Sequence, residues 1–441
     1  MSGVKNIHTE GAARGPLRSR WTALSLVLLA VGVLGAAAGE LRQWTDVDGR
    51  TMQAKFISQD GKEAVFELAS GQKATVPLSR LSVADQALIR QVPNLPSPPA
   101  VVTSGAGEKR AWPDYVEVNP HSDDIKLVED SPSERRYVYR SQSFQFVSQD
   151  KLAESVMKDV ARTFEATKAL VQALPWGIDP RPPSALGYFQ AKLYETRKDY
   201  IADGGPENSG GVYFRSDRIF RIPFPSLGLE MRGKTWFKKP SYKEVTLVHE
   251  VTHQMMDDYL PFLPTWVIEG TAEYTEALPY NYGKFRVKDR EGAMKEFVKE
   301  RLSRGGPSTN LRPVGDHMTM KREEWTSLAK LRNAQHSLYF ESYLLIYYFS
   351  HLDGDGKGTR FLRYLDEIGK ASQAWQDFFK NPLVTKNPDG SFTYPRSLPL
   401  PAAARSEEFG LEKLDILLDG RSLSDMDAVV KEAYKKAGIR L

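Results

Sequence analysis

The stretch T-L-V-H-E-V-T-H-Q-M-M, residues 246–256, sets two histidines four residues apart with a glutamate directly after the first. On a helix such a spacing turns through about 400°, so His249 and His253 leave the same face roughly 6 Å apart, and one cation can be held by both rings. Glu250 lies about 100° round from His249, beside such an ion rather than on it, where a carboxylate can take a proton from an attacking water. No Gly or Pro interrupts residues 244–259, and Val245, Val248, Thr252 and Met255 form the expected buried side of the helix.

Two histidines do not complete a zinc site; a third protein ligand is required. The chain has no cysteine, so that ligand must be His, Asp or Glu. Residues 263–276, L-P-T-W-V-I-E-G-T-A-E-Y-T-E, supply it: Pro264 sits where a helix can begin, and Glu269 and Glu273 are again four apart. Glu269 lies 16 residues after His253. That is enough for the first helix to end near Tyr259, a turn over residues 260–263, and an antiparallel return. His249, His253 and Glu269 with a fourth position left for water is the catalytic rather than the structural zinc pattern. Glu273, one turn on, is then placed to accept the other ring N–H of His249. The spacing also leaves open the reverse order, with Glu273 on the metal and Glu269 outside it.

The rest of the chain bounds this reading. With 441 residues, 41% hydrophobic and 11% aromatic, the protein can bury sizeable cores and hold more than one domain. A net charge of +4, from 60 basic and 56 acidic residues spread along the chain, gives no concentrated basic surface for a polyanion, so nucleic acid is excluded as the expected partner. Residues 1–39 run from Arg14, Arg18 and Arg20 through an uncharged stretch, 22–38, to Ala36, Ala37 and Ala38. That order is a secretory signal peptide cleaved near Ala38, or, uncleaved, a membrane anchor and the chain's only expected contact with a bilayer. Either way the expected location is outside the cytoplasm: periplasmic, envelope-bound or secreted.

Residues 40–92 read as a small antiparallel β meander, with runs at 52–57, 64–68 and 73–77 divided by Asp48-Gly49, Asp60-Gly61 and Ser70-Gly71, and a short helix starting at Ser82 with Asp85 three residues on. Through W-T-x-x-D-G-R, V-P-L-S-R-L-S and A-D-Q, this piece resembles the SH3-like domain of the Sla-one homology type. The resemblance implies a small barrel that binds a peptide or a cell-envelope ligand, or serves as a spacer. Residues 93–112 are a Pro/Gly/Ser-rich linker. The second domain, 113–441, is expected to be α+β: strands at 144–147, 185–193 and 212–222, a helix over 151–174 with Val156, Val160, Phe164 and Leu170 inward, and helices almost throughout after residue 241.

H-E-V-T-H followed by W-V-I-E-G-T-A-E-Y resembles the gluzincin metallopeptidases, and the upstream S-G-G-V-Y and downstream Y-F-E-S-Y are similar to a bacterial group of exported peptidase-like domains, over residues 140–370. The resemblance implies a zincin-like fold with a mixed N-terminal sheet and a helical C-terminal half, Zn2+ as cofactor, and a polypeptide substrate. It also implies an oxyanion donor at Tyr339, with His336 as runner-up. It further implies an edge strand over the metal, at Gly210, Gly211, Val212 and Tyr213, to which a peptide adds. The metzincin continuation is absent after His253. No glycine-methionine-glutamate signature of the aminopeptidases is present, so endopeptidase action is favoured.

Three stretches are expected to carry less: His317 and His351 as surface or capping residues, 352–358 (L-D-G-D-G-K-G) as a surface turn rather than a calcium loop, and the charge-rich 288–304 as solvated surface. Two rival readings remain: a zinc-containing binding module without turnover, for polypeptide or wall polymer, and a structural protein in which the histidines merely pack.

Overall fold

The computed structural model describes residues 41–59, 63–68, 73–91, 111–118, 124–183, 186–303, 311–331, 334–387 and 391–441. The chain is mixed α+β and divides into two compact units, whose described parts are 41–91 and 111–441. The expected signal segment, most of the linker and two of the meander turns, Asp60-Gly61 and Ser70-Gly71, lie outside the described residues. Among the described residues no helix is long and apolar enough to cross a membrane.

The first unit is a four-stranded antiparallel meander in chain order, β1 (Leu41–Thr45), β2 (Thr51–Gln59), β3 (Glu63–Leu68) and β4 (Lys73–Pro77), closed by helix α1 (Val83–Gln91). Its core forms because alternate residues of each strand face inward: Trp44, Ala54, Phe56, Ala64 and Phe66 meet Leu78, Leu81 and Ile89. Ser82 accepts the Asp85 N–H at 3.2 Å, starting α1 where the sequence places it.

The second unit opens with a short strand, β5 (Val116–Glu117), and builds a six-stranded mixed sheet from β6 (Lys126–Ser131), β7 (Arg136–Arg140), β8 (Phe144–Ser148), β9 (Phe189–Tyr194), β10 (Val212–Phe214) and β11 (Ile219–Pro223), in the order β10-β11-β9-β8-β7-β6. β8, β9 and β11 run parallel because helices carry the chain back between them: α2 (Glu154–Ala173) and α3 (Arg197–Ala202). The single strand expected over 212–222 is two, folded as a hairpin about residues 215–218, where Arg218 takes a positive φ of 60°. β10 is therefore an edge strand. Helix α2 buries Val156, Val160, Phe164 and Leu170 as expected. It also buries Glu165, whose carboxylate accepts Ser141 Oγ at 2.8 Å and the Ser143 N–H at 2.7 Å, tying the helix to the β7–β8 turn.

Beyond the six-stranded sheet, and apart from three small sheets of two or three strands, one of which includes β5, the unit is helical: α4 (Val245–Met255), α5 (Thr265–Ala277), α6 (Arg290–Ser303), α7 (Val314–Thr319), α8 (Arg322–Ala329), α9 (Ala334–Tyr347), α10 (Thr359–Lys380), α11 (Glu407–Glu412), α12 (Leu414–Leu418) and α13 (Met426–Lys436). Trp112, placed by the sequence at the end of the linker, belongs to this unit: its ring lies 4.3 Å from that of His351. Gly270 in α5 is required by packing. A Cβ there would stand 2.6 Å from the backbone oxygen of Ser342 and 2.6 Å from Ile346 Cγ1, so only glycine lets α5 and α9 lie this close.

Candidate metal centre

Helix α4 runs from Val245 to Met255 and packs on α2, β10 and β11. Val248, Thr252 and Met255 are buried as expected; Val245, the first residue of the helix, is not, at 41% exposed. The chain turns through a 3-10 segment at Leu260–Phe262, and Pro264 caps α5, which returns along α4. Thr252 Oγ1 and Thr275 Oγ1 meet at 2.7 Å across the two helices, and Gln254 Nε2 donates to the Gln190 carbonyl at 2.9 Å, fixing α4 to the sheet.

This packing brings the expected trio together. His249 Nε2 and His253 Nε2 each lie 3.3 Å from the same atom, Glu269 Oε2. The three donor atoms lie within 4.8 Å of one another and form a group able to hold a metal ion. Three electron-pair donors aimed at one point repel one another unless positive charge lies among them, either a metal ion or a proton on an imidazole. Burial alone would raise the Glu269 carboxyl, yet the two imidazoles hold it well below the carboxylate range. Burial opposes a charge on His249, yet Glu269 and Glu276 hold the ring well above the usual imidazole value. Nitrogen and oxygen donors without sulfur, two His and one Glu, fit zinc in an open site.

The acceptor for the other nitrogen of His249 is a correction to the sequence reading. Glu276 Oε2 lies 3.1 Å from His249 Nδ1, whereas Glu273 Oε1 is 3.9 Å away. Glu273 instead meets Arg301 Nη2 at 3.4 Å, so one residue of the stretch expected to be solvated surface reaches the site. Burial and then the neighbouring Glu276 carboxylate push the Glu273 carboxyl up. The signal for Glu276 was present: it follows Glu269 by seven residues, which on a helix is two turns less about 20°. On the zinc reading of this trio, replacing Glu276 by Gln is expected to weaken zinc binding ~10–100-fold, the cost of losing an outer partner of a metal-bound imidazole. Competition against a chelator reads the change, and an unchanged affinity rejects the role.

Glu250 is not among the three. Its Oε2 accepts the Tyr213 N–H at 3.1 Å, which fixes the carboxylate against β10. Burial raises the carboxyl, and His253 and His249 offset that only in part, so it sits above its ordinary value. Tyr339 on α9 lies with its ring 5.9 Å from that of His249, inclined by 30°, and 6.0 Å from the ring of Trp325 on α8. Burial, then Glu269, hold the phenol well above its usual pKa, so it remains a proton donor. His336 is exposed on the same helix.

The expected peptide-binding strand has its outward groups partly engaged. Tyr213 N–H serves Glu250, and the Gly211 carbonyl accepts the Ser209 hydroxyl, which in turn meets Tyr200 Oη at 3.1 Å. A Cβ on Gly210 would stand 3.0 Å from Thr246 Cγ2, and one on Gly211 3.2 Å from the Arg221 carbonyl, so both glycines let the strand lie close to α4 and β11. Val212 opens the strand, paired with Arg221.

Of three residues expected at the surface, His317 and Asp353 are buried and His351 is half-buried. His317 is 1% exposed, with Nε2 2.9 Å from Ser342 Oγ. His351 Nε2 lies 2.8 Å from Tyr274 Oη, and burial pushes its pKa well down. The turn at 352–358 is a turn, but Asp353 is buried beneath it, paired with Arg421 at 2.8 Å and Arg360 at 3.1 Å. No family model and no curated protein matches this chain.

Proposed function

We propose that this protein is an exported zinc-dependent hydrolase, a peptidase of gluzincin type that cleaves within polypeptides. The reading is carried by one observation: two imidazole nitrogens and one carboxylate oxygen from two successive helices lie within 4.8 Å of one another, with a second carboxylate, that of Glu250, beside them. The mixed sheet followed by helices supports a zincin-like second domain, and the four-stranded meander supports an SH3-like first domain that docks on peptide or envelope material.

His249, His253 and Glu269 would hold the zinc ion. When bound, zinc supplies Lewis-acid polarisation of the scissile carbonyl and makes water a stronger acid. Glu250, above its ordinary carboxyl pKa, accepts the proton of the attacking water and passes it to the leaving amine. Tyr339, protonated, donates a hydrogen bond to the oxygen on which charge develops. Glu276 keeps His249 in the tautomer whose Nε2 is free to bind.

The test is metal analysis of the purified full chain together with cleavage profiling on a peptide mixture. About one equivalent of zinc, and cleavage that a chelator stops and zinc restores, is the expected result. Cleavage indifferent to the chelator, or a folded protein that takes up no zinc, overturns it.

A further inference from the structure

The β10–β11 hairpin is the part of the sheet that touches the candidate site, and the sheet alone holds it weakly. β10 is three residues long and pairs on one side only, with β11. So short an edge strand takes its position from what it packs against. Glu250 supplies one tie to α4, by accepting the Tyr213 N–H.

Asp257 supplies a second. It follows Glu250 by seven residues, two past the end of α4, and its side chain is buried. The hairpin turn faces it: Arg218 Nε lies 3.0 Å from Oδ2, and Arg215 Nε 3.6 Å from Oδ1. A buried carboxylate is tolerated where cations meet it, and Asp257 has one at each oxygen. Asp258, the next residue, makes no ion pair within 4.0 Å among the described residues, so the turn is held through Asp257.

The turn is fixed by more than proximity. Arg218 holds φ at 60°, a conformation that a residue with a β-carbon keeps only where its surroundings over-determine it. Its guanidinium is held on two sides, by Asp257 and by the Arg181 carbonyl, to which Nη2 donates at 2.7 Å. Burial opposes the charge on Arg218, and Asp257 more than offsets it. The Tyr213 side chain ends at the same place: burial, then the Asp257 charge, push its phenol well up, so the hydroxyl stays protonated beside that carboxylate. One residue of β10 is thus bracketed by α4, its N–H on Glu250 and its ring end by Asp257.

We infer that Asp257 is a positioning residue for Glu250: through Arg218 and Arg215 it clamps the β10–β11 hairpin to α4, and the clamp sets where the Tyr213 N–H holds the general base. A misplacement of about 1 Å costs a catalytic group on the order of 10²-fold in rate, so a tie this close to the base is felt in turnover. The catalytic part of this inference rests on the hydrolase reading above; the clamp does not.

Hydrogen exchange on the full chain, read by mass spectrometry over residues 212–214, tests the clamp. Asp257→Asn, which keeps the shape and removes the charge, and Arg218→Gln are each expected to speed exchange there ~10–100-fold, the worth of a hydrogen bond to a charged group. Exchange over β8, Phe144–Ser148, should stay at the wild-type rate. Arg218 lies in the turn with its side chain 29% exposed, so Arg218→Gln decides the question should Asp257→Asn not fold. Unchanged exchange over 212–214, or a rise that β8 shares, overturns the clamp.

Turnover tests the positioning role. On a quenched fluorescent peptide carrying a cleaved sequence, Asp257→Asn is expected to lower kcat about tenfold or more, with KM within about twofold and zinc content unchanged, because the base and not the substrate is displaced. In Glu250→Gln protein the same exchange should alter the residual rate by less than about twofold, since residues that act as a unit are not additive. A raised KM with kcat unchanged, or an equal fall in both backgrounds, overturns the role. A chain whose exchange responds as expected and which cleaves nothing keeps the clamp and loses the hydrolase.

Discussion

Replacing Glu250 by glutamine is expected to leave zinc content at the wild-type level and to lower peptide hydrolysis ~10²–10⁴-fold, the span that a positioned general base contributes. The exchange is nearly isosteric. The new amide oxygen still accepts the Tyr213 N–H that the carboxylate accepts at 3.1 Å, so the side chain keeps its place against β10. The two rings and Glu269 converge without Glu250, so the metal group is left whole. What disappears is the ability to take a proton. Burial raises the Glu250 carboxyl, which brings it nearer to neutral pH and makes it a better carrier of a proton that must be taken and returned. Turnover within about twofold of wild type would remove Glu250 from the mechanism. A loss of zinc in parallel with activity would mean that the residue belongs to the metal set instead. The same variant divides the hydrolase from a zinc-containing binding module, in which the exchange would have no turnover to remove.

The site was legible in the sequence to the extent that it is local. The pairing of His249 with His253, the place of Glu250, the turn before Pro264 and the return of Glu269 all follow from helical spacing and one short connection, and each is found where spacing puts it. Which acid reaches His249 Nδ1 is not local. It depends on how α5 crosses α4, and that is set by the contact of Thr252 with Thr275 and by Gly270 admitting α9. The sequence reading names Glu273 alone; Glu276, three residues on and on the same face of the helix, reaches the ring instead. His317 and His351 failed for a related reason. α9 is apolar all round and buries residues on every side from Leu338 to Tyr347, so no polar stripe marks an exposed face from which its neighbours could be judged. In the sheet, the run 212–222 carries little alternation, and the Ser216-Asp217 turn that splits it into β10 and β11 was passed over. Arg301 shows the converse: a charge run reads as solvated, yet one of its members can turn inward to a buried carboxylate.

Exchange of Glu269 for glutamine is expected to lose zinc by more than the ~10–100-fold that an outer partner costs, because it removes one of the three proposed ligands and the only anion among them. Glu273→Gln, by contrast, is expected to keep the metal, since Glu273 faces Arg301 and lies 3.9 Å from the far nitrogen of His249. The contrast decides between the two orders that the spacing allowed. Thermal unfolding gives an independent readout, because an ion that binds only the folded state stabilises it by RT ln(1 + [L]/Kd), about 2.7 kcal/mol at a hundredfold excess over Kd. Zinc should therefore raise the midpoint of wild type and of Glu273→Gln, and leave that of Glu269→Gln near its metal-free value. Should Glu273→Gln lose the ion and Glu269→Gln keep it, the ligand order is reversed and the hydrolase stands. Should both keep it, the two imidazoles hold the ion without either carboxylate, and the convergence on Glu269 Oε2 has another cause.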